Sequence, residues 1–188
     1  MGCAILPRGP HRTRCPLPAG ARAPRAGAWA HERLPRTPRP PAALDELRAA
    51  DDAGRSPAPR TDTEGGAPLR CCLRRSRPGE HTALVSYAPL RRWAARTGAD
   101  PGAYDEQGPV FIHAEPCAGP DPGGALAFTH AHRTLRRYSA GGRILGGRLV
   151  EPGGSGSALR EAFDDPAVEF VHVRAVEYGC FLYEVTRG

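Results

Sequence analysis

The chain has 188 residues, of which 40% are hydrophobic, 23 are glycine and 21 are proline. Its length suggests one domain, and its glycine and proline content approaches that of low-complexity sequence. The formal charge of +6 is unevenly spread: residues 1–40 hold eight arginines against one acid, Glu32, or +7, which leaves −1 for the rest. A basic nucleic-acid face is therefore not expected on the body of the chain. With no apolar run near the roughly 18 residues of a membrane span, a membrane protein is not expected either.

Residues 1–39 show no helical or strand periodicity and are broken by prolines, so they read as a disordered Arg/Pro/Ala-rich leader. The chain contains no lysine, so the leader's charge is better explained by GC-rich coding than by a binding arm. A continuous apolar secretory segment is missing because Pro7, Arg8 and Pro10 interrupt it. The cytoplasm is the expected location.

The ordered part is expected to run from residue 40 to 188. "PAALDELRAAD" (41–51) predicts a helix, with Pro41 at its first position, an apolar stripe of Ala43, Leu44 and Leu47, and Gly54 beyond its end. "LRCCL" (69–73) and "HTALVSY" (81–87) predict strands joined through Pro78-Gly79. "LRRWAART" predicts a turn or two of helix, and "PVFIHAE" (109–115) a strand. "TLRRYS" and "RILGGRLV" flank "AGG" as a hairpin. "SGSALREAFDDP" predicts a short helix with Ser157 as its N-cap, and "AVEFVHVRA" and "CFLYEVT" close the chain as two strands. The fold class is α+β: a mainly antiparallel sheet of about six short strands with two or three helices to one side.

The features from Ala42 onward, "ALDELRAADDAG", "LRCCLRRSRPGE", "LVSY", "YDEQGPVFIHAEPC", "LRRYSAGGRI" and "HVRAVEYGCFLYEV", resemble a bacterial family of uncharacterised proteins, the domain-of-unknown-function family numbered 1203. The resemblance implies a single domain beginning near residue 37. It implies no activity, cofactor or catalytic residue.

Six cysteines stand at positions 3, 15, 71, 72, 117 and 180. On adjacent strand positions, Cys71 and Cys72 would point to opposite faces and form no ordinary bridge, so reduced thiols are expected. No CxxC pair occurs, which argues against a zinc ribbon or a thioredoxin-like motif. The domain is long enough to fold without metal or disulfides, and no metal or cofactor is expected.

The most enzyme-like grouping is His113, His172, Cys72 and Cys180, since a thiolate nucleophile needs a neighbouring base. Two registers of the final hairpin decide whether His172 meets Cys180. A sum of 352 places them opposite; a sum of 353 aligns Val168 with Val185, Phe170 with Tyr183 and Val171 with Leu182, and is preferred because it pairs apolar with apolar. His130 and His132, with His113 or Asp121, have metal-ligand types but read as a solvated loop. Arg91 and Arg92 read as a solvated face, and Asp105 and Glu106 diverge as neighbours. In an extended strand, Arg137 shares the face of Leu135 and needs an anion: Glu115, Glu177 or a ligand. The reading that results is a small binding or accessory domain holding a small anionic ligand, or an acidic partner segment, near Arg137, Tyr138 and His113. The alternative is an enzyme using His113 or His172 with Cys72 or Cys180.

Overall fold

A computed structural model describes residues 36–37, 41–121 and 125–187; the leader before Arg36, with Cys3 and Cys15, lies outside the described residues. The fold is α+β. The strands are β1 (Arg36–Thr37), β2 (Arg60–Asp62), β3 (Pro68–Leu69), β4 (Arg74–Arg75), β5 (Glu80–Tyr87), β6 (Gly108–His113), β7 (Arg133–Tyr138), β8 (Ile144–Val150), β9 (Phe170–Ala175) and β10 (Phe181–Thr186). The helices are α1 (Pro41–Ala49), α2 (Pro89–Thr97) and α3 (Ser155–Asp164), with a 3-10 turn at Gly102–Tyr104. No helix among the described residues is long and apolar enough to cross a membrane.

The expected single sheet is in fact two five-stranded sheets, ordered β1-β10-β9-β7-β8 and β2-β5-β6-β3-β4. The first is antiparallel throughout. The second contains one parallel pair, β3 with β6, in register at Leu69↔Phe111. β1 precedes residue 40 and pairs with Glu184 and Val185 of β10.

Helices cover both faces of the first sheet rather than one. On one face Ala158, Leu159 and Ala162 of α3 pack on Leu135, Val171, Val173 and Val185. On the other, Leu90 and Trp93 of α2 pack on Tyr138 and Phe170. With both faces covered, β9 is buried along almost its whole length, His172 and Arg174 included. Leu159 is fully buried, which is worth about 1.5–3 kcal/mol relative to exposure.

In the second sheet, Leu44 and Leu47 of α1 pack with Leu69, Val85, Val110 and Ile112. The turn after α1 is fixed by Asp51, whose carboxylate accepts the backbone N–H of Ala53, Arg55 and Ser86 at 3.0, 2.9 and 3.0 Å. Burial would raise the Asp51 pKa, but these amide hydrogen bonds outweigh it and hold the carboxyl below its ordinary value. Asp52 accepts the Ala88 N–H at 2.7 Å and grips the Arg92 guanidinium at 2.7–3.0 Å. Arg92 is thus largely buried, side chain 17% exposed, and is not part of a solvated face; Arg91, half exposed, pairs with Asp105 at 3.0 Å.

Three local expectations are corrected. "LRCCL" is not a strand: β3 ends at Leu69 and residues 70–73 form the turn into β4, closed by Leu73 at φ 55. α3 begins at Ser155, and the Ser157 hydroxyl donates to the Gly154 carbonyl at 3.0 Å instead of capping the helix. The final hairpin adopts neither expected register. Val171 faces Val185 and His172 faces Glu184, with an irregularity between Phe181 and Tyr183. The connection runs from Val176 to Cys180 and turns at Gly179, φ 66. That is longer than either register assumed, and it shifts every pair.

Candidate metal centre

Parallel pairing builds the site. From the register Leu69↔Phe111, two residues further along each segment places Cys71 beside His113. The His113 N–H donates to Cys71 Sγ at 3.2 Å, and His113 Nδ1 stands 3.3 Å from the same sulfur. Because residues 70–73 turn rather than extend, Cys72 does not point away. Its Sγ lies 4.0 Å from Cys71 Sγ and 3.8 Å from His113 Nδ1. Cys117, four residues past His113 in the loop after β6, completes the group. The donor atoms of Cys71, Cys72, His113 and Cys117 all lie within 4.8 Å of one another.

Charged groups hold the far side of the imidazole. Glu80 accepts from both Nη atoms of Arg74, at 2.9 and 2.7 Å, and from the Arg77 N–H at 2.9 Å. The Arg74 hydrogen bond is the main reason the Glu80 carboxyl falls to about 2. His113 Nε2 is 3.1 Å from Arg74 Nη2 and 3.5 Å from Glu80 Oε2. Arg48, in the last turn of α1, donates from Nε to the His113 carbonyl at 3.3 Å and pairs with Asp45 at 2.8 Å. Its buried Nη2 has no hydrogen-bond partner among the described residues.

The three thiols differ. Hydrogen bonding to Cys72 and then burial push the Cys71 thiol up. The same contact draws Cys72 down, with Arg74 helping, because its sulfur is the acceptor. Burial raises Cys117, against a lowering hydrogen bond from the Gly119 backbone and a weaker influence from Arg48. Cys71 is buried, whereas Cys72 and Cys117 are half-buried.

Of the residues singled out from sequence, the fold brings together His113 and Cys72 and adds Cys71 and Cys117. The lack of a CxxC pair argues against a zinc ribbon, yet the fold gathers three sulfurs without one. His172 lies elsewhere, fully buried among Tyr138, Phe170 and Phe181, with Nε2 3.2 Å from Glu184. Cys180 sits in the hairpin connection, its Sγ 3.8 Å from the Tyr178 carbonyl.

Arg137, Tyr138 and His113 do not form a common cleft. Arg137 lies on the α3 side of the first sheet, 3.8 Å from Asp165. Tyr138 is fully buried on the opposite face, stacked on Phe170 at 4.8 Å. His113 belongs to the other sheet. The acids considered for Arg137 pair elsewhere, Glu115 with His81 at 3.5 Å and Glu177 with Arg133 at 3.9 Å. His130 and His132 are exposed, and His132 meets Glu151 at 2.7 Å. Glu106 bridges Arg136, at 2.7 Å, and Arg174.

No curated protein and no solved structure matches the chain. The family described as "Protein of unknown function (DUF1203)" matches residues 66–187. That span is more than half of the sequence and contains all four clustered donors, and the chain belongs to this family.

Proposed function

We propose that the domain binds one zinc ion, or a divalent metal of similar softness, through Cys71, Cys72, His113 and Cys117. The observation that carries this reading is the mutual spacing of the donors. Zinc–sulfur bonds of about 2.3 Å and zinc–nitrogen bonds of about 2.0–2.1 Å at tetrahedral angles imply sulfur–sulfur separations of about 3.8 Å and sulfur–nitrogen separations of about 3.6 Å. The cluster has 4.0 Å between Cys71 and Cys72, and 3.3 and 3.8 Å from their sulfurs to His113 Nδ1. A soft thiolate-rich set with one imidazole suits zinc.

The surroundings support it. With Nδ1 turned to the sulfurs, a bound metal would put the imidazole proton on Nε2, to be accepted by Glu80 Oε2, 3.5 Å away, in place of the 3.1 Å contact with Arg74 Nη2. Four protein donors fill a tetrahedron and leave no open position, so the metal's role is structural. It joins the β3–β4 turn, the end of β6 and the loop after it. A Cys72–His113 nucleophile has less support, because Nδ1, the nitrogen facing Cys72, also faces Cys71 more closely.

The test uses the reduced full-length chain. One zinc per chain is expected to survive dialysis. Cobalt in its place should give tetrahedral d–d bands with thiolate charge transfer. Cys71→Ser, His113→Asn and Cys117→Ser should each weaken binding at least tenfold. A chain that retains no metal overturns the proposal, and so does one that binds equally well with all three substitutions.

A further inference from the structure

We infer that the cluster is also a modification site for hydroperoxides, at which oxidation joins Cys72 to Cys117 and expels the metal. The disulfide rests on thiol geometry alone; the expulsion rests on the zinc reading above.

Three sulfurs within 4.8 Å of one another offer three possible bridges, and the backbone separates them. Cys71 and Cys72 have the 4.0 Å contact, but they are consecutive residues. Their Cα atoms are held about 3.8 Å apart by the peptide unit, short of the roughly 4.4–6.8 Å that a disulfide ordinarily spans. Cys71 is 2% exposed, and its sulfur is held by the His113 N–H at 3.2 Å and faces Nδ1 at 3.3 Å. Cys72 and Cys117 are half-buried and reachable from solvent. They lie on segments distant in sequence, and Cys117 sits in a loop outside any strand or helix. Closing their sulfurs to a bond of about 2.05 Å takes a movement of less than about 3 Å, within the reach of side-chain rotation and loop adjustment.

The oxidation proceeds in two steps. The Cys72 thiolate attacks one oxygen of hydrogen peroxide; an S–O bond forms, the O–O bond breaks, and the departing hydroxide takes a proton and leaves as water. The Cys117 thiolate then attacks the Cys72 sulfur; the S–S bond forms, the S–O bond breaks, and a second water leaves. Two thiols give up two electrons and the peroxide accepts them. A metal held by four donors has then lost two of them.

The experiment uses the full-length chain with Cys3, Cys15 and Cys180 replaced by serine, zinc-loaded and metal-free. Each form is treated with hydrogen peroxide, alkylated and mapped by mass spectrometry, while a chromogenic chelator follows zinc. The expected result is a Cys72–Cys117 cross-link in both forms, with Cys71 still open to alkylation after denaturation. From the loaded form, one zinc should be released per cross-link and rebound after reduction. A cross-link in a chain that never binds zinc would leave the disulfide standing and remove the metal reading alone. A Cys71–Cys72 or Cys71–Cys117 bridge, or overoxidation of Cys72 without any bridge, would overturn the inference. Cross-linking that leaves zinc in place would overturn the expulsion.

Discussion

Replace His172 with glutamine and follow urea unfolding of both proteins from pH 8 to pH 5. His172 has no solvent exposure and is ringed by Tyr138, Phe170 and Phe181, with centroids 4.6, 5.2 and 4.9 Å away. Burial, the dominant influence, disfavours the imidazolium. Glu184 opposes it and Arg174 adds to it, and the net result is a pKa below the ordinary 6.5. The hydrogen bonds agree. A neutral ring protonated at Nε2 satisfies Glu184, whereas protonation would add an N–H at Nδ1, which has no partner among the described residues. As pH falls, the unfolded chain therefore takes up this proton first, so the stability is complete above the unfolded pKa and is lost below it. The loss sets in as pH falls through the unfolded pKa near 6.5 and has a limiting slope of about 1.4 kcal/mol per pH unit. His172→Gln should lower stability at pH 8 and flatten this slope. With chelator present in both samples, proton competition at the His113 cluster cancels in the difference. An unchanged slope in the variant would refute the reasoning. So would a native protein that gains stability on acidification relative to the variant, since Glu184 would then hold the imidazolium in place.

Two further outcomes test the packing. Leu159→Ala, which opens a cavity between α3 and the first sheet, should cost about 2–5 kcal/mol in the same urea titrations, while Leu149→Ala, on a side chain 60% exposed, should stay within about 0.5 kcal/mol. Asp51→Ala removes the acceptor of three backbone N–H groups and should cost at least about 2 kcal/mol, with amide exchange speeding first at Ala53, Arg55 and Ser86.

The helices were legible because each pairs a stripe with a boundary. Leu44 and Leu47 recur at helical spacing behind Pro41, and Gly98 ends α2 at φ 74. The β7–β8 hairpin was legible through Gly142, which turns at φ 76. The second sheet was not, because β3 and β4 are two residues each, too short to show a period. Its parallel β3–β6 pair joins segments about forty residues apart, which no local pattern encodes. The register of the last hairpin failed for a different reason. Pairing apolar with apolar assumes one wet face, but both faces of β9 are buried, and His172 and Glu184 satisfy each other inside. At the candidate metal centre, the sequence did carry a signal in His113-x3-Cys117, a spacing metal sites use. Alone that spacing is weak, because Cys71 and Cys72 reach it only through the parallel β3–β6 pairing and the turn after β3.

Arg48 brings the helical and thiol parts of the molecule together. Its guanidinium is anchored at Nη1 by Asp45 and at Nε by the His113 carbonyl, yet Nη2 is buried without an acceptor. A buried donor left in that state costs about 1–3 kcal/mol. Arg74 and Arg48, paired with Glu80 and Asp45 respectively, each act to lower a neighbouring thiol, Arg74 at Cys72 and Arg48 at Cys117. Three thiolates around a divalent metal sum to one negative charge. If the proposed metal is bound, the guanidiniums of Arg48 and Arg74 at the edge of the cluster would offset that charge. The helix that carries Arg48 is held in place by the Asp51 turn and the Asp52–Arg92 pair. On this reading α1 does two things at once: its apolar stripe closes the second sheet, and its last turn brings a positive charge beside the sulfurs.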